Sequence, residues 1–335
     1  MGRWHLETTR RPLPGRAGTL SGMERGPFRS ALAVALVAVI LTLAIAALVT
    51  WRPVPGRPLG TFVIPPLPAL DVTVLVGAGD IAECGDEDDE RTADLVAAIP
   101  GTVFLAGDNA YRVGSARQYR DCYGPSWGAF LDRTRPAPGD NEYDTRGAAG
   151  YRDYFGALAT PAGDTWYSWD AGDWHVIMLD SNCTAVGGCE AGSPQTTWLT
   201  ADLAASDARC TLAIWHHPRF SSGDHGNHDF VRPFWQTLYD AGADVVINGH
   251  DHDYERFAPQ SPDGTADGER GIREFVVGTG GAGLRPFKTI RANSEVRDAT
   301  THGVIRLILS PEGYSWDFVP VAGGIFTDTG SAACH

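Results

Sequence analysis

The segment Val245–Arg256, VVINGHDHDYER, decides how the chain is to be read. Val245–Ile247 is apolar and β-branched, the composition of a short buried strand. The apolar run then stops, and Gly249 is followed at once by His250, Asp251 and His252. The same pattern recurs upstream. Val72–Val76 leads into Gly79-Asp80, Val103–Ala106 into Gly107-Asp108, and Leu212–Trp215 into His216-His217-Pro218. In open α/β sheets the carboxyl ends of the strands face one side, and ligands bind there. The pattern therefore collects Asp80, Asp108, His216, His250 and His252 in one place. A lone Gly-Asp after a strand is a turn, but recurrence at successive strand ends builds a site. Carboxylates with imidazoles suit zinc, iron or manganese.

The intervening segments fit an α/β fold class with sizeable sheets. Arg91–Ile99 reads as a helix. Ser193 is placed to cap a helix that has Pro194 at its first position and runs to about Ser206. Phe230–Ala241 is also expected to be helical. Trp166–Trp169 and Trp174–Leu179 flank a turn at Gly172 and read as a hairpin. After Phe275 the pattern is one of strands, with Val304–Leu309 and Tyr314–Val319 expected as the last pair.

These residues resemble the calcineurin-like metallophosphoesterases, in particular the purple acid phosphatase-like branch. Gly107-Asp108-Asn109-Ala110-Tyr111 is similar to that branch's G-D-x-x-Y motif, and Gly249–Arg256 to its G-H-x-H-x-Y-E-R motif. Gly79-Asp80, Pro138-Gly139-Asp140-Asn141-Glu142 and Trp215–Pro218 fall in the family's order. The likeness runs from about Leu75 to Arg256. It implies a four-layer α/β/β/α sandwich of two mixed sheets flanked by helices, with a two-metal site at the strand C-terminal ends. Asp80, Tyr111 and His252 would hold one ion, and Asp140, His216 and His250 the other, with Asp108 bridging. Tyr111 stands in for the histidine that an Asp-x-His first motif would supply. A phenolate favours iron(III) there, with zinc, iron or manganese in the second site. The implied activity is hydrolysis of phosphate monoesters of a small phosphorylated substrate, through a water that two ions activate. A phosphodiesterase on the same centre, and a catalytically silent metal-binding surface protein, are the alternatives.

The chain departs from the family in its third motif, where G-N-H-E/D is replaced by Gly139-Asp140-Asn141-Glu142. Aligned without a gap, Asp140 takes the ligand's place and Asn141 that of the phosphate-contacting histidine. A slip of one residue would make Asn141 the ligand instead. Asp140 adds a negative charge, which weakens the ions as Lewis acids and shifts the pH optimum upward. Asn141 gives up no proton at neutral pH. His225, nine residues after His216, is the replacement candidate for the leaving group, with His217 and His228 weaker ones. His175 and His302 read as packing residues. Tyr254, Glu255 and Arg256 are expected to support the ligands by hydrogen bonding.

Charge and cysteine usage bound the setting. The 335 residues carry a net charge of −14. The excess of acid lies entirely beyond residue 60, which argues against a nucleic-acid partner. Residues 1–30 are basic, Ala31–Thr50 is an uncharged apolar run, and residues 51–70 hold six prolines. These read as a cytoplasmic segment or signal n-region, a membrane anchor or signal-peptide core, and a linker to a catalytic domain at residues 71–335. Either form puts the domain outside the cytoplasm, and membrane contact is expected through the N-terminal segment only. Six cysteines fit disulfides in an oxidising compartment, with Cys183–Cys189 across a Gly-Gly turn as the first expected pair. No oligomeric state is assigned.

Overall fold

The structure, a computed structural model, describes residues 72–335. The basic segment, apolar run and linker of residues 1–70 lie outside the described residues. Among the described residues there are fifteen strands, numbered in chain order, and three helices of nine residues or more. The first part holds β1 (Thr73–Ala78), β2 (Ala82–Glu83), α1 (Asp88–Ala98), β3 (Thr102–Ala106), β4 (Ala110–Tyr111) and β5 (Thr134–Ala137). Next come the hairpin β6 (Tyr167–Ala171) and β7 (Trp174–Met178), then α2 (Pro194–Ala205), β8 (Cys210–Ile214), α3 (Arg232–Asp240) and β9 (Val245–Asn248). The last part is all strand: β10 (Tyr254–Phe257), β11 (Arg273–Val277), β12 (Ser294–Asp298), β13 (Gly303–Ser310), β14 (Gly313–Pro320) and β15 (Thr329–Ala333).

Two mixed sheets result, in the orders β15-β14-β13-β1-β3-β5 and β12-β10-β11-β9-β8-β7-β6. In the first, β1, β3 and β5 run parallel and β13 joins β1 antiparallel. In the second, β7, β8, β9 and β11 are parallel. Side chains alternate between faces of a strand, and here both faces are apolar. Val176, Met178, Leu212, Ile214, Val245, Ile247, Phe275 and Val277 join the strands of the first sheet in one core. Their neighbours Ile177, Ala213, Trp215, Val246 and Val276 join a second core with Leu199 of α2 and Phe234, Trp235 and Leu238 of α3. On the other side α1 adds Ala93 and Val96 to the first core. Helix, sheet, sheet and helix form the expected sandwich.

Ser193 caps α2 as expected, its side chain accepting the Thr196 N–H. Two expectations need correction. The segment read as a helix from Phe230 begins with a short 3₁₀ turn, Asp229–Val231, and α3 starts only at Arg232. The pair β13–β14 is not the last, because β15 adds an edge strand to β14. Its sequence, TGSAA, has no apolar alternation to announce it.

All six cysteines are paired. Cys183–Cys189 forms as expected, with Cys84–Cys122 and Cys210–Cys334 beside it. The last links β8 of one sheet to the chain just past β15 of the other, across 124 residues. On the chain-entropy account, closing a loop that long stabilises by about 5 kcal/mol, against about 2 kcal/mol for the short Cys183–Cys189 loop. Removing the Cys210–Cys334 pair by alanine substitution is therefore expected to cost more in denaturant unfolding than removing Cys183–Cys189. Equal losses would contradict this.

Candidate metal centre

Each candidate ligand leaves its strand in a similar way. Asp80, Asp108, His216 and His250 stand two positions past the ends of β1, β3, β8 and β9, and Asp140 three past β5. Asp80, Asp108 and His250 have φ of 59°, 52° and 72°, a left-handed backbone that non-glycine residues seldom adopt. The chain turns sharply off the sheet edge at these points. The glycines beside them leave room for other candidate ligands. A Cβ on Gly107 would lie 2.6 Å from His216 Nδ1, and one on Gly139 would lie 2.1 Å from Asp108 Oδ1.

Two clusters form. In one, the Tyr111 hydroxyl donates to Asp80 Oδ1 at 2.7 Å and lies 3.1 Å from His252 Nε2, itself 3.4 Å from Asp80 Oδ1. In the other, His216 Nε2 lies 3.0 Å from Asp140 Oδ1, 3.2 Å from His250 Nδ1 and 3.3 Å from Asp108 Oδ1. His250 Nδ1 is also 3.2 Å from Asp140 Oδ1. Asp108 stands between the clusters, with one ligand atom each of Asp80, Asp108 and His216 mutually within 4.8 Å. All seven residues are buried except Asp140, whose side chain is 48% exposed. Asp140 is therefore the residue of its block that meets both imidazoles. Asn141 instead faces Asp108, its backbone N–H donating to Oδ1 at 3.0 Å and its amide to Oδ2.

The ring nitrogens and carboxyls are set up for cations. His216 Nδ1 meets the Ala106 carbonyl and His252 Nδ1 the Gly283 carbonyl, each at 2.9 Å. A carbonyl only accepts, so the proton sits on Nδ1 and Nε2 turns its lone pair to the cluster when the ring is neutral. Without a cation, burial and the nearby Asp108 and Asp80 carboxylates hold the Tyr111 hydroxyl protonated, well above its ordinary range. Burial works against ionised Asp108, but the His216 ring outweighs it and keeps that carboxyl low. Asp140 is likewise held below the usual carboxylate range, against burial, by hydrogen bonds to His216 and His250. Carboxylates, imidazoles and a phenol at these separations fit two transition-metal ions.

Buried carboxylates brace the loops that carry this centre. Glu142 accepts the backbone N–H groups of Gly139, Asp108 and Asn109 at 2.7–3.0 Å and the Tyr119 hydroxyl at 3.0 Å. Asp251 Oδ1 accepts the His225 N–H at 2.7 Å, and Glu255 accepts the Ser222 N–H at 2.7 Å. Tyr254 and Arg256 do not support the ligands. They point to the other face of β10 and bind Asp328 at 2.8 and 2.7 Å, a consequence of strand alternation.

Asp108, Tyr111, Asp140, Asn141, His225, His250 and His252 line a cavity of about 380 Å³, together with Glu83, Arg112 and Arg285. The His225 ring centroid is 4.3 Å from that of His250, but its Nε2 lies 2.7 Å from Arg285 Nη1. His217 Nδ1 pairs with the Ser181 hydroxyl at 2.8 Å, and its Nε2 is 3.7 Å from Asp140 Oδ1. His228 is packed behind His250, and burial pushes its ring down to about 4. His302 binds the Ala282 carbonyl at 3.1 Å. A larger hollow of about 650 Å³ opens at the opposite ends of β7 and β8, where His175 sits between Asp170 and Asp202. It holds none of the candidate ligands.

In the sequence Glu142 ends the third motif with no role marked for it, and Arg285 lies in no motif. A Glu two residues past a candidate ligand, after a glycine, is the signal that could have found the first. Glu142→Gln would turn an amide N–H₂ toward donors that now meet a carboxylate. One buried donor left unpaired costs about 1–3 kcal/mol. The variant is expected to lose at least that much in denaturant unfolding, and an unchanged midpoint would contradict the bracing role.

Comparisons with known proteins bear on the sequence likeness and the fold. No family model matches the chain. Purple acid phosphatase 21 of Arabidopsis thaliana is 34% identical over 158 residues, which are 43% of this chain and 34% of that one. Acid phosphatase A of Cryphonectria parasitica is 32% identical over 122 residues, 31% of this chain and 24% of that one. The chain thus spans about a third or less of these relatives' length. Among solved structures, a purple acid phosphatase from yellow lupin (Lupinus luteus) seeds matches with a TM-score of 0.58 at 18% identity, covering 79% of this chain and 54% of that one. The inner-membrane-complex anchor of Plasmodium matches with a TM-score of 0.58 at 15% identity, covering 79% and 89%. Over part of its length the chain is thus similar in sequence to purple acid phosphatases, and it shares the fold of the lupin enzyme.

Proposed function

We propose that residues 71–335 form a catalytic domain that hydrolyses phosphate monoesters at a two-metal centre. The observation that carries this reading is the pair of clusters flanking Asp108, with His216 and His252 oriented by backbone carbonyls. Asp80, Asp108, Tyr111 and His252 would hold iron(III), and Asp108, Asp140, His216 and His250 zinc, iron or manganese. Bound there, two such ions would supply Lewis-acid activation of a water and of a phosphoryl oxygen. The chain's own residues do the rest. Asp80, Asp108 and Asp140 bring the negative charge that concentrates cations. Glu142 fixes the backbone of Asp108 and Gly139, so the two loops cannot drift apart. Asn141 offers an amide to an oxygen but no proton. The His225 Nε2 accepts from Arg285 and so gives up no proton in this arrangement. Leaving-group protonation is therefore left to solvent.

Export from the cytoplasm belongs to the same reading. Its support is the pairing of all six cysteines, which persists in oxidising compartments, together with the apolar run Ala31–Thr50. Among the described residues no helix is long and apolar enough to cross a membrane.

The test is hydrolysis of p-nitrophenyl phosphate by metal-loaded protein across pH. Activity should be lost on chelation, and Asp108→Asn should lower kcat by about 10³-fold, a loss typical of removing one charge-stabilising group at a reaction centre. The optimum should lie above neutral pH, given the extra charge of Asp140. An acidic optimum contradicts that electrostatic role. Full activity in Asp108→Asn contradicts the two-metal centre.

A further inference from the structure

The segment after β11, Gly278–Arg285, lies across the candidate ligands. The Gly280 N–H donates to the Gly79 carbonyl at 3.0 Å and the Ala282 N–H to the Asp80 carbonyl at 2.9 Å. The Arg285 N–H donates to the His252 carbonyl at 2.9 Å. The Gly283 carbonyl in turn holds the His252 ring. Arg285 is thus mounted on the backbone of the centre itself.

Its side chain reaches the cavity, where the neighbouring cationic side chains are already engaged. Arg112, the other arginine lining the cavity, pairs with Glu83 at 2.7 Å. Lys288, on the same segment as Arg285, pairs with Asp224. Arg291 Nε donates to the Ser221 carbonyl at 3.0 Å. Arg285 has no carboxylate within 4.0 Å among the described residues, although the domain is strongly acidic. Its one side-chain hydrogen-bond partner among the described residues is His225 Nε2 at 2.7 Å. A guanidinium only donates, so His225 must accept there, which leaves its ring proton on Nδ1. The ring is a bracket for the fork, and Asp251 fixes the bracket through the His225 N–H.

A half-buried guanidinium without an anion, aimed into a cavity beside a cation-binding centre, is built to receive an anion from the ligand. We propose that Arg285 determines specificity by taking the phosphoryl oxygens turned away from the metal centre, with His225 as its positioning residue. This rests on the phosphoesterase reading above and names its substrate class. A monoester presents ionised oxygens on that side, whereas a diester replaces one with a bulky, uncharged ester arm. Arg285 therefore favours the monoester.

The experiment compares metal-loaded full-length protein with Arg285→Ala and Arg285→Lys on p-nitrophenyl phosphate and bis(p-nitrophenyl) phosphate, with metal content measured for each. Loss of charged hydrogen bonds to a phosphate should lower kcat/KM for the monoester by about 10- to 100-fold, chiefly through KM. The diester should change by less than about threefold, metal content should stay at the parent's value, and Arg285→Lys should fall between, keeping the charge without the fork. Equal losses on both esters, or none on the monoester, would overturn the proposal. If the parent hydrolyses neither ester, the phosphoesterase reading fails on its own. Calorimetric titration with inorganic phosphate then decides the role of Arg285. Binding at least about tenfold weaker in Arg285→Ala, as expected for a lost charged contact, supports it, and unchanged binding overturns it.

Discussion

Everything around the centre answers to one electrostatic constraint: Asp80, Asp108 and Asp140 bring three carboxyls together at the meeting edge of two sheets, two of them buried. Burying like charges is unfavourable unless donors or cations compensate. Part of the compensation is already present. The His250 N–H donates to Asp80 Oδ2 at 2.7 Å, the Asn141 N–H to Asp108, and His216 lies against both Asp108 and Asp140. The remainder is the charge that bound cations would bring. The Tyr111 phenol fits the same account, since it stays protonated beside the carboxylates until a cation replaces its proton.

The constraint explains why the loops are held so firmly. Carboxylates that repel one another would spread if their loops were free. Glu142 ties the Asp108 loop to the Gly139 loop, and Asp251 and Glu255 tie the His225 loop to the strand after His252. The sheets are cross-linked at the same edge, where the Gly79 N–H meets the Val277 carbonyl and the His216 ring meets the Ala106 carbonyl, each at 2.9 Å. The Cys210–Cys334 bridge and the Asp244 carboxylate, which accepts the Thr211 and His335 N–H groups, close the opposite end. The left-handed backbone at Asp80, Asp108 and His250 is tolerable only on such a braced frame.

Much of this was legible in the sequence because local signals and global fold agree. Apolar runs ending in Gly-Asp or Gly-His mark strands whose ends share one edge, and Ser193-Pro194 marks a helix start. The rest depends on pairings that are distant in the chain. Arg285 reaches the cavity because β11 runs parallel to β9 and its following segment folds back over His252, which no short window reveals. The role of Glu142 follows from the approach of two loops more than thirty residues apart. Tyr254 and Arg256 adjoin the ligands in sequence but lie on the wrong face of β10, and β15 has too little apolar pattern to be read as a strand.

The central claim is that this arrangement holds two ions across Asp108, and metal content of the purified full-length protein, taken with its visible spectrum, tests it most directly. The account predicts two metal ions per chain after reconstitution, one of them iron with the charge-transfer colour of a Tyr111 phenolate. Two ions without that colour would remove the iron(III)–tyrosine assignment alone. One ion or none would contradict the two-metal centre.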